Sequence, residues 1–375
     1  MSLKNRILIL ENSHGATGAF KSIFGLTQSI NHEFEFHFAI KKHTPLATVL
    51  KKESIPYVEL PYVEISRSWK TILYLPILFL NSWRVTRYLS KHQIHIIHVN
   101  DLYNMVGVLS KILRPSSKLI YHIRLLPDSY VANLYPYWLK LINRWADHVI
   151  AVSNSVHQSI RFKVAKPIEI IYDFVPLEER HGEQLLCEPD KVKFVYPANY
   201  MRGKGQDYAL KAFSEVYQRH QNVALSFYGG DAGSVRNQEF KKLLIEECVA
   251  LGLDKVVMFE EATDDIEAVM KKADVVLMFS ESESFSMVCY EALFYGKPLI
   301  ASDCGGPREL VENNVSGLLV TNRDTHAMAN AMCTLVNYNE LRHVLSINAR
   351  KAIRDKMVDN PVSTKLGEVY KHFIA

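Results

Sequence analysis

The sequence predicts a two-domain α/β protein in which each domain is a doubly wound parallel sheet, and three observations carry that prediction. Short β-branched runs alternate with helical patterns along the chain. The runs fall into two series, separated by a Pro-, Gly- and charge-rich stretch with no period. At 375 residues, 48% of them hydrophobic, the chain is long enough for two cores. The first series is Arg6–Leu10, Glu35–Ile40, His95–Val99, Leu119–Ile123 and His148–Val152. The second is Lys193–Tyr196, Leu225–Tyr228, Val256–Phe259, Val275–Phe279 and Pro298–Ala301. Between them Asp173–Asp190 holds Pro176, Gly182 and Pro189 and reads as the interdomain linker. The predicted boundaries are therefore an N-terminal Rossmann-like domain over 1–173, a linker over 174–190 and a C-terminal Rossmann-like domain over 191–358. A helical segment over 359–375 could pack back on the first domain. Two such sheets facing each other across a cleft would hold ligands at the carboxyl ends of their strands.

Composition narrows the function. The formal net charge of +4 hides a division: basic residues exceed acidic ones by ten over 1–173 and fall short by six over 174–375. A basic half seeks phosphates or an anionic surface. No nucleic-acid reading module accompanies the charge, so nucleic acid is a poor partner. The cysteines, Cys187, Cys248, Cys289, Cys304 and Cys333, are odd in number and lack C-x-x-C spacing, which argues against a disulfide framework or a zinc ribbon. The N-terminus runs into a strand without the apolar core of a signal peptide, and the expectation is a cytoplasmic protein. The apolar run Ile72–Leu80 is broken by Pro76 and is shorter than the roughly 20 residues a membrane span needs.

The richest segment starts at Asp274. A buried strand enters a Ser/Glu loop, a helix follows from about Ser286 to Tyr295, and Gly296 stops it before the next strand. The loop Ser284-Phe285-Ser286 would aim unpaired backbone N–H groups, aided by the helix dipole, at an anion such as a diphosphate. Glu283 lies in the loop and Glu291 within the helix, where its carboxylate could accept from sugar hydroxyls. On spacing alone, a capped surface helix with two solvated glutamates explains the pattern as well.

The run Glu283-Ser-Phe-Ser-Met-Val-Cys-Tyr-Glu291-Ala-Leu, with Gly296-Lys-Pro-Leu-Ile-Ala-Ser-Asp-Cys-Gly-Gly-Pro-Arg-Glu309 and Gly317-Leu-Leu-Val after it, closely resembles the E-x7-E region of glycosyltransferase family 4, retaining enzymes of GT-B fold. The resemblance implies two Rossmann-like domains of GT-B architecture and a nucleotide-sugar donor, of UDP or GDP type, bound mainly by the C-terminal domain. It puts Glu283 near the transferred sugar and Glu291 on the ribose hydroxyls. A second match, Phe194-Val-Tyr-Pro-Ala-Asn-Tyr-Met-Arg-Gly-Lys-Gly-Gln-Asp, places Lys204 at the family lysine, where an ammonium and a helix start together would neutralise the diphosphate. The family arginine position holds Asn199, and Arg202 is the nearest substitute; a solvated loop arginine is the alternative. Tyr228-Gly229-Gly-Asp231 resembles the family's glycine turn, and Glu260, in the loop Phe259–Thr263, would border the base by analogy.

In the N-terminal half, Gly15 and Gly18 lie between a strand and a helix, where the family loop borders the donor; a tight turn is the other explanation. His95–Asp101 resembles a family strand with Asn100 in the place of histidine, and Arg124 ends the strand Tyr121–Arg124 where an active-site histidine is usual. There Arg124 would face the cleft, toward acceptor or phosphate. His98 and His122 read as core histidines, and Ser153 ends a further strand. With no Asp-x-Asp and no ligand cluster, the expectation is a metal-independent enzyme without cofactor.

Residues 67–91 mix Trp69, Tyr74, Trp83 and Tyr88 with Arg67, Lys70, Arg84, Arg87 and Lys91. Such a stretch could lie in a membrane interface and dock a lipid-linked acceptor, or form a core helix with a solvated basic face. The sequence thus reads as a retaining glycosyltransferase acting on a glycan or lipid-linked acceptor in cell-surface polysaccharide synthesis. A catalytically silent nucleotide-sugar-binding partner and a GT-B epimerase are the rivals.

Overall fold

The computed structural model describes residues 5–63, 69–127, 134–175, 177, 191–359 and 361–374, with the side chains of residues 69, 70 and 357–359 excepted. The chain divides into two units, Met1–Pro176 with Pro361–Ala375, and Leu177–Asn360. Most of the linker expected over 174–190, and Cys187 with it, lies outside the described residues.

The first unit contains β1 (Asn5–Leu10), α1 (Gly18–Ser29), β2 (Phe34–Lys41), α2 (Leu46–Lys52), β3 (Tyr57–Leu60), α3 (Tyr74–Lys91) and β4 (Ile96–Val99). It continues through α4 (Val106–Leu113), β5 (Lys118–Ile123), α5 (Tyr135–Trp145), β6 (His148–Ala151), α6 (Asn154–Ile160) and β7 (Ile168–Ile170). The second unit contains β8 (Val192–Pro197), α7 (Gln206–Arg219), β9 (Val223–Tyr228), α8 (Val235–Ala250), β10 (Val257–Glu260), α9 (Ile266–Lys272) and β11 (Val275–Met278). After these come α10 (Met287–Phe294), β12 (Leu299–Ser302), α11 (Pro307–Leu310), β13 (Leu318–Val320), α12 (Thr325–Asn337) and α13 (Asn339–Asp359); α14 (Val362–His372) belongs to the first unit.

The strand orders are β3-β2-β1-β4-β5-β6-β7 and β10-β9-β8-β11-β12-β13, and every pairing is parallel. Parallel sheets bury both faces, which is why β1, β4, β11 and β12 are almost unbroken apolar runs. Each order reverses once, between β1 and β4 and between β8 and β11, and each reversal opens a crevice at the carboxyl ends of the strands. The second unit's core stacks Phe194, Tyr196, Phe213 and Phe227 against Leu277 and Phe279. In the first, Phe20, Phe34, Phe36 and Phe38 pack with Leu366, Val369 and Tyr370 of α14. Each fully buried Phe or Leu contributes about 1.5–3 kcal/mol. No helix among the described residues is long and apolar enough to cross a membrane.

Candidate active site

The second unit's crevice brings together two residues 79 positions apart. The loop after β8 carries Lys204 and the loop after β11 carries Glu283. Lys204 Nζ donates to Glu283 Oε1 at 2.7 Å, and Ser280 Oγ donates to the same oxygen at 2.8 Å. The pair is partly enclosed, its side chains 31% and 17% exposed, and the Glu283 carboxylate holds the Lys204 ammonium above the ordinary lysine range. Gly205, next to Lys204, caps α7 at φ 80° with its missing Cβ aimed at the Phe279 carbonyl; a methyl there would sit 2.0 Å from that oxygen. Only glycine meets both demands, so the lysine loop can lie directly on the end of β11.

The loop into α10 is stapled on both sides. Glu283 N–H donates to Cys304 O at 3.3 Å, and Gly306 N–H donates to Glu283 O at 2.7 Å. Phe285 is buried, its backbone so close to Gly306 that a Cβ on the latter would meet it at 2.5 Å. Ser286 caps the helix from φ 81°, a left-handed conformation costly for serine, and its Oγ accepts the Cys289 N–H. The first-turn N–H groups of Met287 and Val288 have no acceptor inside the helix, which leaves a donor pair for an anion. Ser284 is half-buried beside them, and Glu291 is half-buried on the second turn of α10. Sequence reasoning passed over Ser280 and also Glu281, whose carboxylate accepts from Tyr208 Oη at 2.9 Å and from Arg323, while its carbonyl accepts from Asn322.

Around this centre, Asn199 Oδ1 accepts the Gly230 N–H at 3.1 Å and so pins the glycine turn after β9. A Cβ on Gly229 would lie 2.0 Å from Ala198 O, so the turn and the strand end touch backbone to backbone. Asp231 accepts the Gly233 N–H at 2.7 Å, which holds its carboxyl below the usual range. Glu260 ends β10, half-buried. Arg202 is exposed, with its guanidinium over the Phe240 ring at 5.2 Å; the structure seats it on α8, apart from the Lys204–Glu283 pair.

The first unit's crevice corrects one expectation. Arg124, expected at a strand end facing the cleft toward acceptor or phosphate, is 3% exposed, and all three guanidinium nitrogens are occupied. Nε donates to Asn100 Oδ1 at 2.7 Å, Nη1 to Asp173 and Nη2 to His122 Nδ1 at 3.3 Å. Asn100 in turn donates to Glu11, whose other oxygen accepts the Ser13 N–H at 2.8 Å. Burial of a guanidinium demands such partners, and the sequence did not reveal them because Glu11 is 89 residues from Asn100 and Asp173 is 49 from Arg124. His98 and His122 are core residues, the former bonded through Nδ1 to Tyr370 Oη at 2.7 Å. Gly18 opens α1 behind the Thr17 cap, and Ser153 caps α6 by accepting the Val156 N–H at 3.1 Å. Gly15 is neither at positive φ nor crowded: a Cβ there would meet nothing within 4 Å. Among the described residues, no group of three or more His, Cys, Asp or Glu side chains is placed to hold a metal ion.

Two all-parallel α/β units, each with a crevice at its strand-order reversal, define a GT-B glycosyltransferase fold, and solved structures agree. HepE of Anabaena, in complex with UDP and glucose, superposes with a TM-score of 0.80 at 21% identity over 97% of this chain and 99% of that one. Sucrose-phosphate synthase of Thermosynechococcus elongatus gives 0.79 at 19% identity over 99% of both. The chain belongs to glycosyltransferase family 4: the model "Glycosyl transferases group 1" matches residues 178–352, and "Glycosyltransferase Family 4" matches 44–179. The chain is 33% identical over 213 residues to D-inositol 3-phosphate glycosyltransferase of Saccharomonospora viridis, a match covering 55% of this chain and 48% of the relative. It is 24% identical over 237 residues to N-acetyl-alpha-D-glucosaminyl L-malate synthase of Bacillus anthracis, covering 60% and 59%. The matched region thus spans about half the length of these relatives.

Proposed function

We propose that this protein is a retaining, metal-independent glycosyltransferase that moves a sugar from a nucleotide-sugar donor to a glycan or lipid-linked acceptor in cell-surface polysaccharide assembly. We also place it in the cytoplasm at the inner face of the membrane, touching the membrane through residues 67–91. The observation that carries the reading is the Lys204–Glu283 pair at the reversal of the second sheet, beside the free first-turn N–H groups of α10. The UDP and glucose bound by HepE support a nucleotide sugar as the guest.

In this reading Lys204 and the start of α10 receive the donor diphosphate, Glu283 the transferred sugar and Glu291 the ribose hydroxyls. During transfer the bond from the anomeric carbon to the diphosphate oxygen breaks, and the acceptor oxygen bonds to that carbon on the same face. The acceptor's proton passes to the departing diphosphate oxygen. Negative charge grows on that leaving group, and a fixed ammonium with aligned N–H dipoles stabilises it without reorganisation.

Thermal unfolding with UDP, GDP and ADP, followed by transfer assays with the matching nucleotide sugar, tests this. One diphosphate should stabilise the fold by about 2.7 kcal/mol at a hundredfold excess over its Kd. The product should retain the donor's anomeric configuration, and turnover should persist in EDTA. Failure of all three nucleotides to stabilise the protein overturns the donor site. Binding without transfer supports the silent partner, and loss in EDTA restored by magnesium overturns metal independence.

A further inference from the structure

Helix α3 is turned inside out. Its protein-facing side carries Asn81 and Ser82, 1% and 0% exposed, with Val85 and Leu89. Asn81 Nδ2 donates to Pro61 O at 2.6 Å, and Ser82 Oγ to Leu78 O at 2.8 Å. Large apolar side chains stand on the opposite side. Ile72, in the turn just before α3, is 79% exposed, Leu75 70%, Phe79 56% and Trp83 46%. The spacing of three and four residues puts them on one stripe. Carried on by the same spacing, the stripe reaches Arg87 and Lys91, with Arg84 beside them, all exposed. Arg87 lies over the Trp83 ring at 5.0 Å, where the apolar part meets the basic part. The basic part borders an open cavity of about 560 Å³ lined by Val58, Glu59 and Tyr88 with those cations. Among the described residues none of the three cations has a carboxylate within ion-pair distance. Arg67 and the side chains of Trp69 and Lys70 lie outside the described residues.

We infer that this stripe is a docking surface for an anionic bilayer: Ile72, Leu75 and Phe79 enter the acyl boundary, Trp83 lies at headgroup level, and Arg84, Arg87 and Lys91 hold lipid phosphates around the cavity. An exposed contiguous apolar patch marks an interaction surface. Unpaired cations in line with it match a phosphate-bearing membrane better than a second protein, and a boundary tryptophan suits the interface. The inference deepens the membrane contact proposed above, and its test uses no sugar donor, so its failure leaves the transferase reading standing.

The full chain is sedimented with phosphatidylcholine vesicles containing phosphatidylglycerol and with phosphatidylcholine alone, at low and high salt. The wild type should partition onto the anionic vesicles, less so in high salt. Phe79→Ser/Trp83→Ser should weaken partitioning by about tenfold or more, and Arg84→Gln/Arg87→Gln/Lys91→Gln by about fivefold per cation. The thermal midpoint should not change in either variant, since every substituted side chain is exposed. No partitioning of the wild type at low salt overturns the inference. So does equal binding to both vesicle types, equal binding by the variants, or a dimer in solution that Phe79→Ser/Trp83→Ser dissolves without any vesicle binding.

Discussion

The hydroxyl of Tyr196 donates to the backbone carbonyl of Lys204 at 2.6 Å and accepts the backbone N–H of Phe279 at 2.7 Å. One buried phenol therefore clamps the lysine loop onto the strand end that leads to Glu283, and burial raises its pKa well above the ordinary tyrosine value, so it remains a donor.

Tyr196→Phe leaves a part-buried carbonyl and a buried N–H without this partner. The expected cost is about 1–3 kcal/mol of stability, read by urea unfolding, together with a several-fold loss of nucleotide affinity as the loop loosens. Unchanged nucleotide affinity would show that the clamp serves the core alone.

Lys204→Ala and Glu283→Gln should separate chemistry from folding. The pair is partly open to water, so either change should shift stability by only about 1 kcal/mol. Turnover should fall at least about a hundredfold, the scale of losing one electrostatic stabiliser. Steady-state kinetics beside unfolding curves would check both, and retained turnover in Lys204→Ala would remove the lysine from the mechanism.

Gly15→Ala and Gly229→Ala should behave in opposite ways. A methyl at Gly229 collides with Ala198 O, whereas one at Gly15 meets nothing. Gly229→Ala should unfold at lower temperature, whereas Gly15→Ala should melt like the wild type. A lowered melting temperature for Gly15→Ala would show that the turn itself needs glycine there.

Acid should unfold the protein before its carboxylates titrate. Burial lowers His98 to about 3 and His122 well below 6.5, and it also lowers His37 and His148. Below 6.5 the unfolded chain takes up protons that the folded chain refuses, so stability is intact above that pH and is lost as pH falls through it. Each such histidine contributes a slope of up to about 1.4 kcal/mol per pH unit. Urea midpoints between pH 7.5 and 5 should therefore drop steadily, and a flat profile would contradict neutral buried imidazoles.

Much of this was legible in the sequence, for physical reasons that also mark where it stopped. Long apolar strands such as β2 and β8 announce themselves through burial on both faces. The edge strands β3, β7 and β13 did not, because each is short and carries half-buried positions, unlike the equally short but fully buried β4, β11 and β12. Lys204 and Glu283 were visible because the short local motifs around them resemble those of a known family; spacing alone left Glu283 open to reading as a solvated surface carboxylate. Ser280 is only three residues from Glu283 but carries no motif of its own, whereas the Tyr196 bond to Phe279 and the partners Asn100 and Asp173 of Arg124 are set by strand register across dozens of residues.

Because α14 completes the core of the first unit, the order of synthesis and the order of completion differ. Residues 5–175 leave the ribosome before 361–374, yet Phe34 and Phe36 have no Tyr370 to cover them until that later segment has emerged. The second unit, continuous in the chain, can close its core before that. The half made first must therefore wait with aromatic surface uncovered, which makes it the half most in need of a chaperone during translation.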